Sequence, residues 1–332
     1  MAKEMTSKER VTAAIHFLGP DRIPIKIGYI SHEVLKNPAY SDILCQLSDD
    51  FSDGDGIGWY NAGCKMGTNI DEWQCEWLNL TEGGLGQVVK HPLDDISKLN
   101  SYVWPKAEDV DMTYARERSE NRGDKYYLSG YISIYERMIF LRGFENLLMD
   151  IALGEEHFYV IRDKILEYNL ALMDRMLELN PDGIFLADDW GSQRSLMINP
   201  DAWRKLFLPV YKEMFSKVHE KGKDVFFHSD GYVTDILPDL TEAGVNVFWV
   251  EFGVNKLDEL KNILGGKAAF LSLPDTQIIE FGTDSEIEAH AKEQIYMLGD
   301  YNGGFITYPY IEDNKRSLKL FESYMKYSKY PL

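Results

Sequence analysis

The chain has 332 residues, 45% hydrophobic and 27% charged, with a formal net charge of −19. That acidity excludes nucleic acid and anionic membrane as partners, because phosphate recruits Lys and Arg. Three cysteines (Cys45, Cys64, Cys75) form neither a disulfide framework nor a zinc ribbon, the polar N-terminus leads into no apolar signal region, and no apolar run approaches the ~20 residues that span a bilayer. A cytoplasmic protein is expected, and its length suits one barrel-sized domain over 1–332.

The first half opens with a predicted helix, Ser7 to Phe17, then a strand, Ile23 to Tyr29, introduced by Pro20 and Asp21. Gly54, Gly56 and Gly58 lie among acidic residues with no Lys-Ser/Thr pair after them, so they read as a turn and not a phosphate loop. Asp71 to Trp77 alternates like a hairpin strand, and the segment to Pro92 is expected to form a β-rich excursion over the barrel mouth.

The second half alternates strands and helices at even spacing. Gly183 to Ala187 is a strand running into Asp188, Asp189 and Trp190. Asn199 caps a helix with Pro200 at its first position, and Trp203, Phe207, Val210, Met214 and Val218 form one apolar stripe that Gly222 ends. Asp224 to His228 is a strand followed by Asp230 and Gly231. A helix carrying Ile236, Leu237, Leu240 and Ala243 precedes a strand, Val245 to Val250, that ends on Glu251. Further strands are Ala268 to Leu273 and Gly304 to Thr307, the latter ending at Tyr308 and Tyr310. Such alternation implies parallel βα units, and with no Gly-rich dinucleotide fingerprint a closed (β/α)8 barrel is the predicted α/β fold.

In such a barrel the C-terminal strand ends meet at the active-site mouth. His228, Asp230 and Glu251 are the candidate metal ligands, since His, Asp and Glu together suit Zn²⁺. Of Asp188 and Asp189 only one points inward, because successive strand residues face opposite sides. Asp189, His228 and Tyr308 are the candidate catalytic groups. Asp188, Trp190, Tyr310 and Tyr131 are candidates for substrate contact, Trp190 as a flat apolar wall.

The sequence resembles the uroporphyrinogen decarboxylase superfamily, and within it the cobalamin-dependent methyltransferases. The resemblance runs through Arg10-Val-Thr-Ala-Ala, Pro20-Asp21-Arg22-Ile-Pro24, Thr68-Asn-Ile-Asp71-Glu72-Trp73, Tyr135-Glu136-Arg137, Leu141-Arg142-Gly143-Phe-Glu145, Asp188-Asp189-Trp190-Gly191-Ser-Gln193, His228-Ser-Asp230-Gly231 and Asp235-Ile-Leu-Pro238-Asp239-Leu240. It implies a (β/α)8 barrel with its site at the C-terminal mouth, and the possibility of a homodimer. The methyltransferases resemble one another in holding zinc by a His-x-Cys pair and a later Cys, activating a thiol that takes a methyl group from cobalamin on a separate corrinoid protein. Here His228 matches the histidine, Asp230 stands at the first cysteine, and no cysteine stands near Tyr310. That departure weakens thiol activation. A carboxylate-rich site leaves zinc a stronger Lewis acid, suited to polarising an oxygen, and implies demethylation of a small methoxy compound. The alternatives are a metal-free lyase or decarboxylase acting on a small carboxylate, and a barrel that only binds its ligand. The decarboxylase branch holds a polyanionic substrate with N-terminal arginines. This chain offers Arg10 and Arg22 there.

Overall fold

A computed structural model describes residues 4–41, 44, 48–53, 56–312 and 314–330. Cys45 and Gly54 lie outside the described residues.

Strands are numbered in chain order: β1 Tyr29–Ile30, β2 Phe51–Ser52, β3 Gly67–Ile70, β4 Glu76–Asn79, β5 Gln87–Lys90, β6 Tyr126–Ile132, β7 Gly183–Ala187, β8 Asp224–Ser229, β9 Val247–Val250, β10 Ala269–Leu271, β11 Phe305–Ile306 and β12 Tyr310–Ile311. One parallel sheet has the order β11-β10-β9-β8-β7-β6-β2. Its two edges are joined through Ile25. Ile25 pairs in parallel with Thr307 beyond β11, and its carbonyl accepts the Asp50 N–H before β2. The barrel therefore closes, with the segment at Ile25 as its eighth stave. The expected strand at 23–29 is thus reduced to a one-residue bridge plus the short β1.

Side chains alternate strictly along the staves. Phe185, Ala187, Phe226, Val247, Ala269, Leu271 and Ile306 fill the barrel interior, closed from below by Val11 and Ile15 of the helix Ser7–Ile15. Ile184, Leu186, Val225, Phe227 and Phe248 face outward and join the larger core under the helical layer. Thr6 starts the N-terminal helix with a full capping box, its side chain accepting from the Glu9 N–H.

The N-terminal face of the barrel is locked by charge. Asp50 is fully buried and accepts from Arg10 Nη1 (2.7 Å), Arg22 Nη1 (2.8 Å) and the Ile25 N–H (2.9 Å). Both arginines are thereby committed at the end of the barrel opposite the mouth.

Two expectations are corrected. Asp71 to Trp77 is not one strand: 71–75 is the turn between β3 and β4, with the Asp71 carboxylate accepting from the Trp73 and Cys75 N–H groups. The strands β3, β4 and β5 around it form an antiparallel sheet, so the β-rich excursion is present. The helix from Pro200 breaks at Phe207 into Pro200–Leu206 and Leu208–His219, because Pro209 brings no N–H and cannot sit inside a continuous helix. One apolar stripe still runs through both pieces, which is why the sequence pattern shows a single helix.

Candidate metal centre at the barrel mouth

The pleat decides which residues reach the mouth. On β7 the inward phase runs Phe185, Ala187, Asp189, and on β8 it runs Phe226, His228, Asp230. Asp189, His228 and Asp230 are accordingly brought together, each offering a ligand atom within 4.8 Å of the others. His228 Nε2 lies 3.7 Å from Asp189 Oδ1 and 3.5 Å from Asp230 Oδ1. His228 Nδ1 lies 2.8 Å from the Trp249 carbonyl oxygen. A carbonyl only accepts, so Nδ1 carries the ring proton and Nε2 presents its lone pair to the carboxylates.

Two glycines make this approach possible. A Cβ on Gly191 would sit 2.4 Å from the Gly231 carbonyl carbon, and Gly231 has φ +75°. The loops after β7 and β8 thus touch backbone to backbone, with the Gly191 N–H donating to the Asp230 carbonyl (3.1 Å). In return the Asp230 N–H donates to Asp189 Oδ1 (2.9 Å). Burial pushes the Asp230 carboxyl above its usual range, and the neighbouring Asp189 charge adds to that.

Glu251, expected as the third ligand, lies outside this set. Strand β9 stops at Val250, so the pleat no longer aims Glu251. Burial raises the Glu251 carboxyl, helped by the charges of Asp230 and Asp275.

Asp188 and Trp190 do not reach the mouth. Asp188 faces outward, fully buried, and accepts from the Ile134 N–H (3.0 Å), the Glu136 N–H (2.9 Å) and the Tyr211 hydroxyl (2.6 Å). Burial pushes it up to about 7 despite those bonds. Trp190 is fully buried, stacked on Tyr135 at 3.9 Å, with Nε1 donating to Tyr211. Both are held within the helical layer, and neither lines the cavity at the mouth.

Above the triad opens a cavity of about 520 Å³. Trp59, Tyr131, Phe185, Trp249, Tyr308 and Tyr310 give it aromatic walls, and His228, largely buried, lines its edge. Tyr131, Tyr308 and Tyr310 therefore line the cavity. Burial pushes the Tyr308 hydroxyl up to about 12 and raises Tyr310 as well. The expected turn contributes through Gly56 and Ile57 to the same wall.

Sequence reasoning missed Trp59, Trp249, Lys26 and Asp53. Trp249 was available from register: it pairs with His228 across β8 and β9, and the two rings lie 4.2 Å apart. Lys26 is buried, ion-paired with Asp53, and sits 4.8 Å above the Tyr308 ring. Nothing in its local sequence signals this, because the barrel closes there through a single bridge. Cys64 and Cys75 stand apart from the triad, and burial raises the Cys75 thiol. No helix among the described residues is long and apolar enough to cross a membrane.

The backbone is similar to that of a methyltransferase from Methanosarcina mazei, with 16% identity, 98% of this chain and 99% of that chain covered, and a TM-score of 0.70. It is also similar, more loosely, to the intracellular xylanase TsXylA from Thermoanaerobacterium saccharolyticum (10% identity, 88% of this chain and 86% of that chain, TM-score 0.41). A dihydropteroate synthase from Xanthomonas albilineans follows at 12% identity, 58% and 65% coverage and a TM-score of 0.35. No curated protein matches the sequence. Residues 129–309, more than half the chain and including the end of β6, all of β7 to β11 and the whole triad, match the sequence profile described as uroporphyrinogen decarboxylase (URO-D). With its closed parallel barrel and a site at the C-terminal strand ends, the chain belongs to the URO-D family.

Proposed function

We propose that the protein is a methyltransferase of a corrinoid-dependent system, moving a methyl group between a small methoxy compound and a cobalamin carried by a partner protein. The observation that carries this reading is the Asp189–His228–Asp230 triad beneath an aromatic cavity. The backbone likeness to the Methanosarcina mazei methyltransferase supports it.

The triad suits a divalent cation of the zinc type: one imidazole nitrogen with its lone pair free, and two carboxylates that no Lys or Arg pairs among the described residues. A cation held there supplies Lewis acidity toward an ether oxygen. The remaining work falls to the chain itself. Trp59, Phe185 and Trp249 hold an apolar ring and exclude water. Tyr308 and Tyr310 stay protonated well above neutral pH, so their hydroxyls donate to substrate oxygens. Trp249 fixes the tautomer of His228 through its carbonyl.

The absence of a cysteine from the triad speaks against thiol activation. The commitment of Arg10 and Arg22 to Asp50, away from the mouth, speaks against capture of a polyanionic substrate.

The test mixes the purified protein with cob(I)alamin and a panel of methoxylated aromatics, methanol, methylamines and thiols, following the absorbance of methylcobalamin. We expect methylcobalamin from a methoxy compound. No methylcobalamin from any donor, together with no transfer from methylcobalamin to any thiol, overturns the reading.

A further inference from the structure

Behind the cavity wall stands a carboxyl group that the proposed chemistry has not used. Glu136 is partly buried, and its Oε2 meets two tyrosine hydroxyls, Tyr60 at 3.1 Å and Tyr131 at 3.2 Å. Among the described residues it forms no ion pair. The next residue, Arg137, sends its guanidinium to Asp71 (2.9 Å) and across the Tyr60 and Trp73 rings. A second carboxyl, Asp188, accepts the Glu136 backbone N–H.

A carboxyl set behind an aromatic wall with no cation paired to it does not ionise readily. The Glu136 carboxyl receives only hydroxyls, which rotate and accept as easily as they donate. The proton therefore belongs on Glu136. Tyr60 is closed off on its far side by Ser133 (2.8 Å), whereas Tyr131 lines the cavity.

We propose that Glu136 is held protonated and feeds its proton through the Tyr131 hydroxyl to an oxygen bound in the cavity. In demethylation the acceptor's electron pair forms the new bond to the methyl carbon, and the C–O pair stays on oxygen. That oxygen takes the Tyr131 proton, Tyr131 takes the Glu136 proton, and Glu136 is left as a carboxylate to be reprotonated from solvent. Tyr131 is then the catalytic group and Glu136 a positioning and proton-storing one. Burial also pushes the Glu136 carboxyl well above its usual range.

The proton-storage step is tested by infrared difference spectroscopy of the intact protein near pH 7. Wild type is expected to show the carbonyl stretch of a protonated carboxyl that Glu136→Gln removes and Tyr131→Phe shifts. If Glu136→Gln fails to fold, the shift in Tyr131→Phe carries the assignment. A band that neither variant alters, or no such band, overturns the proposal. The delivery step rests on the methyltransferase reading: each variant should lower kcat about tenfold or more with little change in KM. Unchanged kcat in both overturns delivery. Because the infrared result needs no turnover, failure of the methyltransferase reading leaves it standing.

Discussion

His228 Nδ1 donates to the Trp249 carbonyl at 2.8 Å, and this one bond aims Nε2 at the carboxylates of Asp189 and Asp230. The donor is a strand side chain and the acceptor is the backbone of the next strand, so the imidazole is set by the barrel itself.

Metal content follows from that geometry. The protein purified with zinc is expected to hold about one ion per chain. His228→Ala and Asp189→Ala should each reduce this to near zero. Glu251→Ala should leave it unchanged, because Glu251 lies outside the triad. Elemental analysis by plasma mass spectrometry reads all three, and loss of metal in Glu251→Ala alone contradicts the assignment.

Gly191→Ala drives a methyl group to 2.4 Å from the Gly231 carbonyl carbon, so the two loops must part. Separating them moves Asp230 from Asp189. Zinc affinity, measured by competition with a chromophoric chelator, should fall about ten- to a hundredfold. The melting transition should persist, since the staves below are untouched.

Asp188 is predicted to matter for folding and not for the mouth. Asp188→Ala leaves the Ile134 N–H, the Glu136 N–H and the Tyr211 hydroxyl without their acceptor. Urea unfolding should show a loss of about 3 kcal/mol or more, at roughly 1–3 kcal/mol for each buried group left unsatisfied. Zinc content should be retained.

The N-terminal face gives a pH dependence. The His16 Nε2 to Asp224 Oδ1 contact at 3.0 Å raises the His16 pKa above its ordinary 6.5, against a smaller opposing effect of burial. A raised folded-state value means that the contribution is fully present below the unfolded value and is lost as pH rises through the folded one. Wild type should therefore lose melting temperature relative to His16→Gln as pH is raised from about 6 to about 8. Parallel curves for the two proteins contradict this.

How far the site was legible depended on local pattern. The apolar runs ending at His228 and Ala187 are continuous, so buried parallel staves and their chemistry-bearing ends could be read directly. The Asp188/Asp189 choice was legible as an either-or, because the pleat has period two, but only packing shows which phase faces in. Trp190 misled for a physical reason: a tryptophan beside two aspartates looks like a pocket wall, whereas it is stacked on Tyr135 within the helical layer. The short staves at Ile25 and Phe51 carry too few residues to show a period at all.

The sequence by itself determined the repeating βα pattern and the donor residue types at the C-terminal strand ends, because these follow from chain-local periodicity, and its motifs carried the resemblance to the family. Only the tertiary structure decided that Asp189 and not Glu251 completes the triad, that Lys26 and Trp249 face the cavity, and that Glu136 sits behind Tyr131. Those facts depend on strand register, on where each strand stops and on the contact between Gly191 and Gly231, all of which arise when distant segments meet and none of which a local pattern records.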